Sequence, residues 1–220
     1  LLLRTAYSRN PNVGVFCQAN DGIAVVPRAC PGVFEEEIKG TLGVETVRTN
    51  ISGTSLVGVF VAMNNKGVLL PKNVYGEEVG ALEDRGFNVG VCQDKYTALG
   101  NLILVNSHGA AVSRGFGKRS LKLMEDVFDC EVEVVDLRDY KTLGSIGLVT
   151  DQGGVIHPMI TDEEVEELES LLGVGIDAGT VNRGIGFLRT GAIANSKGVV
   201  VGEDTTGPEI TRIQDALGLL

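Results

Sequence analysis

Four thiols and two imidazoles are the groups in this chain best suited to covalent or metal chemistry: Cys17, Cys30, Cys92 and Cys130, with His108 and His157. Nucleophilic catalysis would need a thiolate and a base within hydrogen-bond reach of each other. A structural zinc would need cysteines and histidines at paired spacings. The cysteines are scattered, with no C-x-x-C and no His at ligand spacing. They read as reduced, mostly buried small hydrophobes of a cytoplasmic protein. His108 stands directly before Gly109 in a turn and His157 directly before Pro158 at a strand end, so both read as structural.

Three further stretches invite chemistry. Gly179 to Gly184 is glycine-rich, but no helix follows it and it carries no Walker lysine, so it reads as a loop rather than a phosphate cradle. The run Asp162-Glu163-Glu164, with Glu166, Glu167 and Glu169, could attract a cation. Its first three acids instead suit the opening turn of a helix, where the dipole favours negative charge, and the rest suit a solvated face. Thr205-Thr206 reads as a helix cap.

Composition narrows the partners. Nineteen Lys and Arg against 29 Asp and Glu give a formal charge of −10. Such a surface lacks the basic stripe that drives nucleic-acid binding through phosphates, and a basic protein partner fits it better than DNA or free RNA. No apolar run approaches the roughly 20 residues of a membrane span, and Leu1-Leu2-Leu3 followed by Arg4 does not read as a signal peptide. Opening on Leu1 rather than Met, the chain is expected to have lost its first residue.

The elements that must position these groups recur. Leu56 to Pro71, L-V-G-V-F-V-A-M-N-N-K-G-V-L-L-P, has two apolar, strand-length halves around Asn64-Asn65-Lys66-Gly67, a turn signal with Gly where a positive φ is expected. The pattern returns at Val13-Gly14-Val15-Phe16 to Pro27, and around His108-Gly109, Gly153-Gly154 and Lys197-Gly198. The turn glycines Gly22, Gly67, Gly109, Gly154 and Gly198 are separated by 45, 42, 45 and 44 residues, which marks a repeat architecture. Each hairpin leads to a helix and then a strand. In the fourth repeat Thr161-Asp162-Glu163-Glu164 is a capping box, followed by Val165, Leu168 and Leu172 on one face. In the fifth, Thr206-Gly207-Pro208-Glu209 opens a helix with Ile210, Ile213 and Leu217 inward.

The fifth helix has no strand after it, and Leu1 to Tyr7 is β-prone and stands just before the first hairpin. The expected fold is therefore α/β, a single five-repeat domain over residues 1–220: a five-fold pseudosymmetric propeller with small sheets around an axis, helices outside, and a ring closed by the N-terminal strand. Closure of this kind removes the exposed sheet edge.

T-A-L-G-N (Thr97 to Asn101), D-Q-G-G-V-I-H-P (Asp151 to Pro158), G-T-V-N-R-G (Gly179 to Gly184) and D-T-T-G-P-E (Asp204 to Glu209) together resemble the translation initiation factor 6 family, the ribosome anti-association factors of archaea and eukaryotes. The resemblance runs through all five repeats, and the ending D-A-L-G-L-L (Asp215 to Leu220) is similar to the archaeal branch. It implies a pentein fold, no catalysis and no cofactor. It also implies a cytoplasmic monomer that binds the large ribosomal subunit where the small one would dock, with a part in large-subunit biogenesis. Contact would run mainly through a ribosomal protein, with at most a minor contact to ribosomal RNA and none to DNA or membrane. The rival function on the same fold is a guanidine-modifying enzyme of the deiminase or amidinotransferase type. That family places its nucleophilic Cys near the C-terminus, and no cysteine follows Cys130 here.

The hairpins are expected to begin at equivalent points, Gly14-Val15, Gly58-Val59, Gly100-Asn101, Gly144-Ser145 and Arg189-Thr190, on one end of the disc. Glycine suits a tight strand entry; the variable neighbours break the five-fold equivalence, as recognition of an asymmetric partner requires. Together with the resemblance this gives Gly14, Val15, Gly58, Val59, Asn101, Ser145, Ile146, Arg189 and Thr190 as the expected ribosome-binding residues.

Overall fold

The computed structural model describes residues 1–137 and 140–220. After strand β1 (Leu2–Thr5), each repeat runs one-turn helix, two antiparallel strands, longer helix, and a third strand parallel to the second. The first repeat is α1 (Val13–Phe16), β2 (Gln18–Ala19), β3 (Ile23–Val26), α2 (Gly32–Leu42) and β4 (Glu45–Arg48). The second is α3 (Val57–Phe60), β5 (Ala62–Met63), β6 (Gly67–Pro71), α4 (Gly76–Glu83) and β7 (Asn88–Cys92). The third is α5 (Leu99–Leu102), β8 (Ile103–Val105), β9 (Gly109–Val112), α6 (Lys118–Phe128) and β10 (Glu131–Val134). The fourth is α7 (Leu143–Ile146), β11 (Gly147–Val149), β12 (Gly154–Ile156), α8 (Asp162–Leu172) and β13 (Ile176–Ala178), and the fifth α9 (Leu188–Gly191), β14 (Ala192–Asn195), β15 (Gly198–Gly202) and α10 (Gly207–Ala216).

Five three-stranded sheets result, β2-β3-β4, β5-β6-β7, β8-β9-β10, β11-β12-β13 and β14-β15-β1. The fifth takes its third strand from the start of the chain: β1 pairs in parallel with β15, Leu2 opposite Val199 through Thr5 opposite Gly202. The middle strands read as continuous apolar runs because both of their faces are buried. In β3, Ala24 and Val26 enter one core while Ile23 and Val25 enter the next. Likewise in β6, Val68 and Leu70 face one core and Leu69 its neighbour. Each of the five cores thus lies between two adjacent sheets, and each longer helix covers the sheet of the repeat before its own, as α8 covers β9 and α6 covers β6 and β7.

The capping box of the fourth repeat is present: Thr161 Oγ1 accepts from Glu164 N at 3.3 Å, and Glu164 Oε2 accepts from Thr161 N at 3.0 Å. Three expectations are corrected. The first halves of the first two expected hairpins are strands only at their ends, β2 and β5, because Val13–Phe16 and Val57–Phe60 close single helical turns, with Cys17 N donating to Val13 O and Val61 N to Val57 O. None of the five turn glycines has a positive φ. Gly67 is required by close approach instead, since a Cβ there would lie 2.1 Å from the carbonyl oxygen of Val127 at the end of α6.

The third correction concerns register. The turns are organised by Asn, whose Oδ1 accepts the N–H groups two and three residues on. Asn64 takes Lys66 N and Gly67 N, and Asn106 takes His108 N and Gly109 N. Asn20 and Asn195 do the same. Aligned on these residues, Gly22 stands one position before the residue equivalent to Gly67, which is Ile23. Gly154 stands one position after its equivalent, which is Gly153.

Candidate functional site

The five one-turn helices line one end of the molecule's axis. Each touches the next in the order α1, α3, α5, α7, α9, and α9 touches α1. Glycine makes this ring possible. A Cβ on Gly58 would lie 1.8 Å from Gly14 O, one on Gly100 2.1 Å from Gly58 O, and one on Gly144 2.3 Å from Gly100 O; on Gly14 it would lie 1.9 Å from Arg189 O. These glycines serve close packing of one helical turn on the preceding carbonyl, not strand entry.

This packing decides which of the expected residues face outward. Gly14, Gly58, Ser145, Ile146 and Arg189 are buried, whereas Val15, Val59, Asn101 and Thr190 are half-buried at the end of the disc. Ser145 turns its hydroxyl back to donate to Thr142 O at 2.7 Å, and Thr190 does the same to Phe187 O at 2.7 Å. The Asn101 amide makes no hydrogen bond among the described residues, so it does not cap its own backbone. Phe16, Phe60 and Leu102 are half-buried beside these positions, and Phe187 is 42% exposed. The surface offers apolar contact with one uncommitted amide. The aromatic members, hidden in the apolar runs V-G-V-F, were missed in the sequence because a strand reading sends alternate side chains to opposite faces.

Along the axis behind this ring, Ala19, Met63, Val105, Val149 and Ala194 contribute one side chain from each inner strand to a narrow channel. At the far, turn end its mouth is polar. Asn65 Nδ2 donates to Asp21 Oδ2 and to Asp151 Oδ2, both at 2.8 Å, Ser107 N donates to Asp151 Oδ1, and Ser196 N donates to Asp21 Oδ1. Between neighbouring sheets the turn asparagines form links: Asn20 Nδ2 donates to Asn64 O, Asn64 Nδ2 to Asn106 O, Asn106 Nδ2 to Thr150 O and Asn195 Nδ2 to Asn20 O. In the fourth repeat Thr150 stands in the Asn position, and its hydroxyl bonds within its own turn to Gly153 O.

The thiols and imidazoles do not assemble into a site. Cys17 and Cys30 are buried in one core, Cys92 is buried in another, and Cys130 is half-buried against the latter. Burial pushes the Cys17 thiol well above its ordinary range, and burial with the Glu35 charge takes Cys30 up to about 11. Cys130 rises to about 11, from burial and Asp129. These thiols stay protonated at neutral pH. His157 is held against Gly186, accepts from Met159 N at 3.1 Å and meets Tyr140 Oη at 3.2 Å, and burial lowers its pKa. His108 is exposed, with its ring over Gly173. No group of three or more His, Cys, Asp or Glu among the described residues is placed to hold a metal ion. The Gly179 to Gly184 loop does present N–H groups to an anion, but the anion is the Glu209 carboxylate, which accepts from Gly184 N at 2.8 Å and Arg183 N at 3.3 Å.

A model of the eIF-6 family matches residues 2–216, from the first residue of β1 to the last of α10. The chain belongs to the eIF-6 family. Translation initiation factor 6 of Staphylothermus marinus is 39% identical over 220 residues, covering 98% of this chain and 97% of that protein. Its counterpart in Saccharolobus islandicus is 40% identical over 220 residues, covering 99% of each. That of Methanocaldococcus jannaschii is 39% identical over 227 residues, covering 100% of this chain and 99% of its own. Among solved structures, a DDAH chain of Pseudomonas aeruginosa complexed with citrulline is similar at 13% identity and a TM-score of 0.49, over 76% of this chain and 68% of that one. Membership of the eIF-6 family places the chain among translation initiation factors, and no helix among the described residues is long and apolar enough to cross a membrane.

Proposed function

We propose that this chain binds the large ribosomal subunit through the end of the disc formed by the one-turn helices and sterically keeps the small subunit away, without catalysis of its own. The observation that carries the reading is the family match across every sheet and helix from β1 to α10. The surface chemistry supports it. A half-exposed ring of Val15, Val59 and Asn101 with flanking aromatics suits a protein partner, since such interfaces are enriched in aromatic anchors and depleted of charge at their centre. The net charge of −10 favours a basic ribosomal protein over bare ribosomal RNA. The protein is a monomer in the cytoplasm on this reading, and the same contact serves it during large-subunit biogenesis.

The test is sedimentation with purified large subunits, small subunits and free ribosomal RNA. Co-sedimentation with large subunits, together with loss of joined ribosomes as the protein is added, is the expected result. Binding to small subunits alone would overturn the proposal. Turnover of arginine, agmatine or citrulline in a parallel assay would revive the enzymatic alternative.

A further inference from the structure

The fifth repeat departs from the others at one residue of the inner ring. Where four copies carry glycine, it carries Arg189, a residue only 6% exposed. The guanidinium leaves α9 and its Nη2 donates to Val61 O at 2.8 Å. Val61 belongs to the second repeat, so the side chain crosses the middle of the ring behind the one-turn helices. Nε meets no acceptor, and no carboxylate pairs with the guanidinium among the described residues. Burial alone lowers its pKa to about 10, leaving it charged at neutral pH. A buried charge with no counter-charge is costly, and proteins normally pair it.

The surroundings indicate what completes it. Arg189 lines a cavity of about 30 Å³ with Gln18, Ala19, Met63, Val105 and Val149 among its walls, and no acid lines it. Gln18, itself 8% exposed, is the other polar side chain on the cavity wall. Asp21 and Asp151 stand at the far mouth of the channel, engaged by Asn65, Ser107 and Ser196. The unpaired Nε of a buried cation and the Gln18 side chain thus line one narrow space inside the channel. We infer that the channel beside Arg189 is a binding site for one small monovalent inorganic anion of chloride size, held by the Arg189 guanidinium and the Gln18 amide.

The site is structural and independent of the ribosomal face. Its test compares thermal unfolding in sodium chloride and in sodium gluconate at equal ionic strength, for the wild type and Arg189→Met. Gluconate is too large for the cavity. Chloride at ten times its dissociation constant should raise the wild-type Tm by about 3–5 °C relative to gluconate. Arg189→Met, which keeps the length without the charge, should show no such difference. Crystals of the wild type grown in sodium bromide give a readout that does not depend on the variant folding: an anomalous peak within hydrogen-bond distance of Arg189 Nε is expected. A wild-type Tm indifferent to the anion, the same chloride effect in Arg189→Met, or water in place of bromide at Nε would each overturn the inference.

Discussion

Glu209 shows how one carboxylate can hold several pieces of chain. Its Oε2 accepts from Thr206 N and Thr206 Oγ1, both at 2.7 Å, and its Oε1 from Gly184 N and Thr180 Oγ1, both at 2.8 Å. Burial alone would raise its pKa, but these hydrogen bonds outweigh it and bring the group to about 2. Because the folded value lies below the ordinary 4.5, the stabilisation is complete above that pH and is lost as pH falls through about 2. Glu209→Gln should therefore cost about 1–2 kcal/mol at pH 7, allowing for partial exposure. It should also flatten the decline of Tm between pH 4.5 and 2, and parallel Tm profiles for the two proteins would refute this. The turn asparagines give a second case. Asn106 is 3% exposed, accepts from His108 N and Gly109 N, and donates to Thr150 O and Leu172 O at 3.0 and 2.8 Å. Asn106→Ala leaves buried backbone groups in two repeats unpaired and should cost about 2–4 kcal/mol in chemical denaturation; a loss under 1 kcal/mol, roughly one ordinary hydrogen bond, would contradict the linking role. Both the loop at Gly179 to Gly184 and the turns at Asn20, Asn64 and Asn106 were legible in the sequence as turns. Their reasons were not, because the Glu209 carboxylate and the carbonyls of the next repeat are brought to them only by the fold.

Among the elements, the longer helices of the fourth and fifth repeats could be read from apolar spacing and caps, and α8 and α10 formed there. V-G-V-F was different. Its β-branched residues favour a strand locally, but stacking each turn on the preceding repeat's carbonyl demands a compact helical turn, and tertiary packing overrides so short a preference. The glycines test this account. Gly58→Ala forces a Cβ to within 1.8 Å of a main-chain oxygen that cannot swing away, so the ring must shift. A loss of about 3 kcal/mol or more is expected, comparable with overpacked cores. Gly40, inside α2, has nothing within 4 Å of an added Cβ, so Gly40→Ala should stabilise by about 0.5–1 kcal/mol through helix propensity. Equal effects of the two substitutions in urea titrations would show that ring packing is not what selects glycine.

For the molecule as a whole, the N-terminal strand and the half-exposed end of the disc are the two places where the repeat stops being self-explanatory. The strand was legible because the fifth repeat lacked one, yet its burial was not: Leu1 is 68% and Leu2 36% exposed, and the apolar weight falls on Tyr7, stacked on Phe16 with centroids 4.4 Å apart. Deleting residues 1–7 should cost at least about 2 kcal/mol and leave β15 as an open edge prone to self-association. A truncated protein that is monomeric and melts with the parent would deny the closed ring.

The end of the disc is harder to read, since five of its nine expected residues are buried in the packing of the one-turn helices, which no local pattern announces. What remains available is the apolar ring around Val15 and Val59 with the Asn101 amide, which, unlike Ser145 and Thr190, is not engaged with its own helical turn. If this end docks on the large subunit, Asn101→Ser removes the paired donor and acceptor and should weaken binding by about 1–3 kcal/mol. Val59→Arg, adding bulk and charge in the same ring, should weaken it further, with little change in Tm for either. Glu167→Lys lies on the exposed face of α8, outside the ring, and should alter neither property. Affinities for purified large subunits separate the alternatives: parent-like binding by Asn101→Ser and Val59→Arg, with loss in Glu167→Lys, would move the docking surface from the end of the disc to its helical rim.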